Sequence, residues 1–101
     1  MILYNVTISI EPAINDQWVK WMKEIHIPEM MNTDCFEEFR FLELKSDIEP
    51  NSGITYCTQY WCKSKTDLDN YLNNYADELR EKHQKKFINK FVTFRTVLEE
   101  I

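Results

Sequence analysis

Ile2-Leu3-Tyr4-Asn5-Val6-Thr7-Ile8-Ser9-Ile10, followed at once by Glu11-Pro12, is the stretch that decides the fold. Ile2, Tyr4, Val6, Ile8 and Ile10 alternate with Leu3, Asn5, Thr7 and Ser9, the period of a half-buried strand. Beyond Pro12 the period changes. Ile14, Trp18, Trp21, Met22 and Ile25 recur at steps of three or four, with Asp16 in the first turn, which predicts an amphipathic helix. Pro28 disfavours helical geometry at Ile27, so this helix is expected to end or break there. Glu29-Met30-Met31 can add a short turn, because proline suits a first helical position.

The remaining elements follow from the same two periods. Cys35 to Leu44 reads as a second strand, with Phe36, Phe39, Phe41, Leu42 and Leu44 between charges. Asp47 to Gly53 holds Pro50, Asn51, Ser52 and the only glycine, and reads as a turn. Ile54 to Cys62 is a third strand, so residues 35–62 form an antiparallel hairpin. Ser64-Lys65-Thr66-Asp67 has the form of a capping box. Leu68, Leu72, Tyr75, Leu79, His83 and Phe87 then define the stripe of a second helix, with a weak point for bending at Asn73-Asn74. Phe91 to Leu98 is a fourth strand. The order βαββαβ is that of an α+β, ferredoxin-like sandwich. Right-handed crossovers place both helices on one face of a four-stranded antiparallel sheet. Residues 1–101 are read as one such domain.

The formal net charge of −5 argues against a nucleic-acid partner, since phosphate binding requires a basic face. Arg80, Lys82, Lys85, Lys86 and Lys90 cluster late in the chain and read as cations complementing a helix C-terminus. Nothing resembles a signal peptide, and no apolar run reaches the roughly 18 residues of a membrane span. The three cysteines include no Cys-x-x-Cys pair. Cys57 and Cys62 are five apart in a strand and so face opposite ways, which predicts free thiols in a reducing cytoplasm. No spacing suits a metal or a cofactor, and none of either is expected.

Two helices hide only one face of the sheet. The set Ile2 through Ile10 is expected to face them, leaving Leu3, Asn5 and Thr7 opposite, together with Cys57, Gln59 and Trp61 of the third strand. In the fourth strand the set Phe91, Thr93, Arg95 and Val97 is assigned to the open face, although periodicity does not force that choice. Such a face is too apolar for water and too polar for a plain core. It suits a sheet-to-sheet homodimer with a polar interior, the alternative being an amphipathic sheet that wets one side.

Four segments carry a resemblance: Met1-Ile2-Leu3-Tyr4-Asn5-Val6-Thr7, Trp18 through Pro28, Leu79-Arg80-Glu81-Lys82-His83, and Lys90 through Thr96. Over essentially its whole length the chain resembles a small bacterial family of unknown function, itself similar to the dimeric α/β-barrel superfamily. The resemblance implies a protomer whose sheet meets a partner sheet to close a barrel. That superfamily includes haem-degrading monooxygenases, cofactor-free monooxygenases, isomerases and proteins of no known activity. Its haem-degrading members use a strand-one asparagine with a tryptophan and a histidine on the second helix. Asn5 matches the first of these by position. Tyr71 stands near the tryptophan's place, and His83 lies about two residues beyond the histidine's. Haem chemistry therefore ranks below the other readings.

The only two histidines, His26 and His83, end corresponding helices in the two halves of the chain. Imidazole titrates near neutrality, so either is a candidate proton-transfer group. Against that, His83 lies within an apolar stripe and could be a core-edge histidine. His26 could be a cation at a helix C-terminus. Asn5, Gln59, Trp61 and Arg95 are candidate ligand contacts on the open face. Arg95 could hold a ligand carboxylate or pair with Glu37 or Glu38. The expectation is a homodimeric protein that binds a small organic ligand or acts as an interaction module. The alternative is a cofactor-independent monooxygenase or isomerase using His83 or His26.

Overall fold

The computed structural model describes residues 1–46 and 53–101. Of the turn expected over Asp47 to Gly53, all but Gly53 lies outside the described residues. The elements are β1 (Ile2–Ile10), a 3-10 turn (Pro12–Ile14), α1 (Asn15–Trp21), a π-helical stretch (Met22–His26), α2 (Ile27–Met31), β2 (Glu38–Glu43), β3 (Ile54–Cys62), α3 (Lys65–Asn74), α4 (Ala76–Lys86) and β4 (Phe91–Glu99). The four strands form one antiparallel sheet in the order β2-β3-β1-β4.

The first helix does not stop at Pro28. It widens by one residue before the proline: the Ile27 N–H bonds to the Met22 carbonyl, five residues back. Pro28 has no N–H to give, and its ring would crowd the carbonyl four residues earlier. A π turn lets the helix carry on through this gap. It also changes which side chain faces inward. At 3.6 residues per turn, a residue four past Met22 overshoots it by about 40°. The wider turn removes most of that offset, so His26 comes round beneath Met22 while Ile25, expected in the stripe, is 44% exposed.

The second helix is opened at its N-terminus by Ser64, whose Oγ accepts from the Asp67 N–H at 3.3 Å. It breaks at Tyr75 (φ −128°), just past Asn73-Asn74. The break leaves Tyr75 largely exposed and buries Leu68, Tyr71, Ala76, Leu79 and His83 instead. The second strand is shorter than expected. Cys35 and Phe36 are buried but precede the ladder, which begins at Glu38. Gly53 adopts φ +87°, and a Cβ there would lie 2.6 Å from the Ile10 carbonyl oxygen, so both backbone and space call for glycine.

The register sets the two faces. Ile2, Tyr4, Val6, Ile8 and Ile10 pair with Cys62, Tyr60, Thr58, Tyr56 and Ile54 and face the helices. On the other side Tyr4, Val6, Ile8 and Ile10 pair with Val97, Arg95, Thr93 and Phe91. Paired residues share a face, so the assignment of Phe91, Thr93, Arg95 and Val97 to the open face is corrected: this set faces the helices. The open face of β4 is Val92, Phe94, Thr96 and Leu98.

Two apolar clusters fill the layer between sheet and helices. One is built on Tyr4, Phe36, Tyr60, Tyr71 and Leu79. The other is built on Ile8, Ile10, Trp18, Met22 and Phe87. Between the aromatic row of Tyr4 and Tyr60 and the row of Ile8 and Tyr56 runs the row Thr58–Val6–Arg95. Thr58 and Val6 are small, so this row leaves a hollow under the helices.

Candidate functional site

That hollow is a pocket. Its floor is Tyr4, Val6, Ile8, Thr58 and Tyr60 from the sheet, and its roof is Met22, His26, Met30, Tyr71, Arg80 and His83 from the helices. Thr93 and Arg95 close the β4 side. It leaves about 30 Å³ open to the centre of a water-sized sphere. One water needs about 10–15 Å³ on that measure, so the space holds two or three atoms of that size.

The structure brings both histidines to this pocket, with ring centroids 5.9 Å apart. His83 is buried at 7% exposure and accepts at Nε2 from the Trp18 indole N–H at 2.9 Å. An indole N–H can only donate. His83 Nε2 is therefore unprotonated, and its ring proton sits on Nδ1. Phe91 packs edge-on against the same ring at 4.0 Å. Burial lowers His83 to a pKa of about 3, with further depression from His26 and the Arg95 guanidinium. His26 stacks on Trp21 at 5.1 Å. Burial lowers it to about 4, opposed by Glu29 and assisted by Arg95. Both imidazoles are thus neutral at physiological pH. The expectation of a C-terminal helix cation at His26 is corrected accordingly: the helix continues through α2, and the ring is half-buried and uncharged.

Four polar groups accompany them. Arg80 Nη2 donates to the Tyr4 hydroxyl at 2.9 Å, while Arg80 Nε is buried without a partner among the described residues. The hydroxyls of Thr58 and Tyr60, each 1% exposed, likewise have none among the described residues. Burial holds the Tyr60 phenol well above its ordinary pKa, so it keeps its proton. Arg95 lies at the rim, near enough for its charge to add to the lowering of His26 and His83 and to oppose slightly the rise that burial gives the Tyr71 phenol. Among the described residues neither Arg80 nor Arg95 has a carboxylate within 4.0 Å. Glu37 and Glu38, read as structural partners for Arg95, pair instead with Lys63 and Arg40.

The residues singled out in the sequence therefore divide between two faces. His26, His83 and Arg95 meet in the pocket. Asn5, Gln59 and Trp61 lie on the open face, where Asn5 Nδ2 donates to Thr7 and Thr96 at 3.2 Å each. Val92, Phe94 and Leu98 flank them at 71%, 61% and 51% exposure. The trio compared with haem-degrading proteins does not converge, since Asn5 points away from the face on which His83 sits. Those residues do not fit a haem. Among the described residues no group of three or more His, Cys, Asp or Glu side chains is placed to hold a metal ion. No described helix is long and apolar enough to cross a membrane. Thr58, Tyr60 and Arg80 were not recognised from sequence as site residues. Arg80 carried one usable signal: it is three residues before His83 and so shares its helix face.

A four-stranded antiparallel sheet covered on one face by helices, with a polar pocket at the seam of its core, defines an α+β protein of ferredoxin-like fold. The chain belongs to the family described as Domain of unknown function (DUF4286), which matches residues 1–101. Solved structures share the fold. An ethyl tert-butyl ether D (EthD) family protein from Bacillus halodurans superposes with a TM-score of 0.69 at 14% identity, covering 100% of both chains. A dimeric ferredoxin-like protein from an uncultured marine organism gives 0.70 at 10% identity, over 99% of this chain and 97% of its own. A hydroxynitrile lyase from Passiflora edulis gives 0.57 at 14% identity, over 99% and 95%. No curated protein matches the sequence.

Proposed function

We propose that this protein binds a small organic molecule in the pocket between its two core clusters, as a homodimer joined through the open faces of two sheets. One observation carries the pocket reading: of the four buried side-chain atoms without a partner among the described residues, three (Thr58 Oγ1, Tyr60 OH and Arg80 Nε) belong to residues that line one cavity, the fourth being Asn5 Oδ1 on the open face. An unsatisfied buried polar group costs about 1–3 kcal/mol, so three together in one cavity favour a bound partner over a plain core. The dimer is supported by the apolar margin of Val92, Phe94 and Leu98 beside a polar centre at Asn5 and Gln59. A structural neighbour described as dimeric supports it too. The free thiols of Cys35, Cys57 and Cys62 support a reducing, cytoplasmic setting.

A second reading, a cofactor-independent monooxygenase or isomerase, is favoured by the neutral His26 ring in the same cavity. His26 is then the proton-transfer group. His83, whose Nε2 is already engaged by Trp18, is a positioning residue.

Amide and aromatic-ring NMR during titration with formate, acetate, formamide and acetamide tests the pocket. Shifts centred on Thr58, Tyr60 and His26 are expected. Shifts centred on Asn5, Gln59 and Trp61, or none with any fragment, would overturn the reading.

A further inference from the structure

We propose that the pocket is an anion site, taking the carboxylate of a small organic acid between Arg80 and Arg95, with the Thr58 and Tyr60 hydroxyls donating to it. This deepens the ligand-pocket reading and rests on it. The argument begins from the chemistry of the unpartnered atoms. Arg80 Nε–H is donor only, and a guanidinium does not lose its proton in a protein. Its missing partner is therefore an acceptor. The Thr58 and Tyr60 hydroxyls both donate, and the tautomer fixed by Trp18 leaves His83 Nδ1–H as a donor on the same ring. A pocket so rich in donors suits an acceptor-only group.

Charge points the same way. Two guanidiniums line one cavity, and among the described residues neither has a carboxylate within 4.0 Å. This is so in a chain whose net charge is −5, where carboxylates are plentiful. Glu29, which lies near His26, is held by Lys82 at 3.0 Å. The two imidazoles are neutral and add no positive charge of their own. Arg95 is exposed and Arg80 half-buried, so solvent screens both charges, but the buried Arg80 Nε–H is a charged donor that still calls for an acceptor. Size selects among anions. Room for two or three water-sized atoms admits a carboxylate more readily than a phosphate.

The test is calorimetric titration of the full chain with formate, its neutral isostere formamide, and inorganic phosphate, probes chosen to match the two or three atoms the pocket admits. Formate is expected to bind at least about tenfold more tightly than formamide, the usual effect of a charged hydrogen bond. Arg95→Gln, at an exposed rim position, and Arg80→Gln are each expected to erase most of that preference while leaving formamide binding in place. Circular dichroism confirms that each variant is folded. Formate is also expected to raise the His26 pKa, read from its ring resonances, because an anion favours the imidazolium. Equal affinity for formate and formamide would overturn the anion assignment and leave the pocket reading intact. So would a formate preference that survives in both variants. Phosphate binding more tightly than formate would overturn the carboxylate assignment. Binding of neither organic probe would sink both this inference and the reading beneath it.

Discussion

Mild acid should destabilise this protein through its two imidazoles, one buried at His83 and one half-buried at His26. In the unfolded chain each histidine titrates near its ordinary value of about 6.5. In the folded protein burial holds His83 at about 3 and His26 at about 4. Between those limits the unfolded chain takes up protons that the folded chain refuses, so stability falls as pH drops below about 6.5. The loss is small at pH 7 and levels off near the folded values. At pH 4.5 each ring is about two units below its unfolded pKa, which amounts to about 2–3 kcal/mol per histidine. At pH 4.5 both rings are still largely neutral in the folded protein, so the two terms roughly add, to about 4–6 kcal/mol, against a typical total stability of about 5–15 kcal/mol. Urea unfolding at pH 7 and at about 4.5 measures this, with His83→Gln as the control. The glutamine carbonyl still accepts from the Trp18 indole but does not titrate. Its loss between the two pH values should be smaller than that of the wild type by about 2–3 kcal/mol. The same acid sensitivity in both proteins would refute the reasoning, as would a ring titration placing His83 near 6.5.

Two further perturbations probe the interface and the β1–β3 corner. Phe94→Asp puts a charge on the apolar margin of the open face, where Phe94 is 61% exposed in the protomer. Sedimentation should then change from twice 12.3 kDa to 12.3 kDa with unaltered circular dichroism, and a wild type already at the lower mass would end the dimer proposal. Gly53→Ala forces a side chain into φ +87° and to 2.6 Å from the Ile10 carbonyl. It should cost about 1–3 kcal/mol, seen as a fall in thermal midpoint of roughly 4–8 °C per kcal/mol; an unchanged midpoint would show that the corner relaxes freely.

Much of the fold was written in local pattern. The alternation of β1 and β3 is asymmetric, with mostly large apolar groups on one face and, Leu3 and Trp61 apart, small or polar ones on the other, so both strands' faces could be read. The Ser64 cap and the change from period two to helical spacing were legible because each depends on residues only a few positions apart. The site was less legible. His26 and His83 were singled out because they are the only histidines, yet no spacing indicated that they meet. Ile25 looked like the inward residue because an α-helical period was assumed. The π turn before Pro28 turned His26 inward instead.

β4 shows where sequence reaches its end. Phe91, Thr93, Arg95 and Val97 form one set; Val92, Phe94, Thr96 and Leu98 form the other. Each mixes large apolar with polar groups. Alternation says that the two sets lie on opposite faces, but only the hydrogen-bond register with β1 says which is which. That register moves Arg95 from the expected dimer face to the pocket, beside His26 and His83. By itself the sequence determined the order of elements, the faces of β1 and β3, and the presence of two histidines in equivalent halves. The tertiary structure decided that these histidines share a cavity with two arginines, because a single widened helical turn and one strand's register lie beyond what side-chain periodicity can specify.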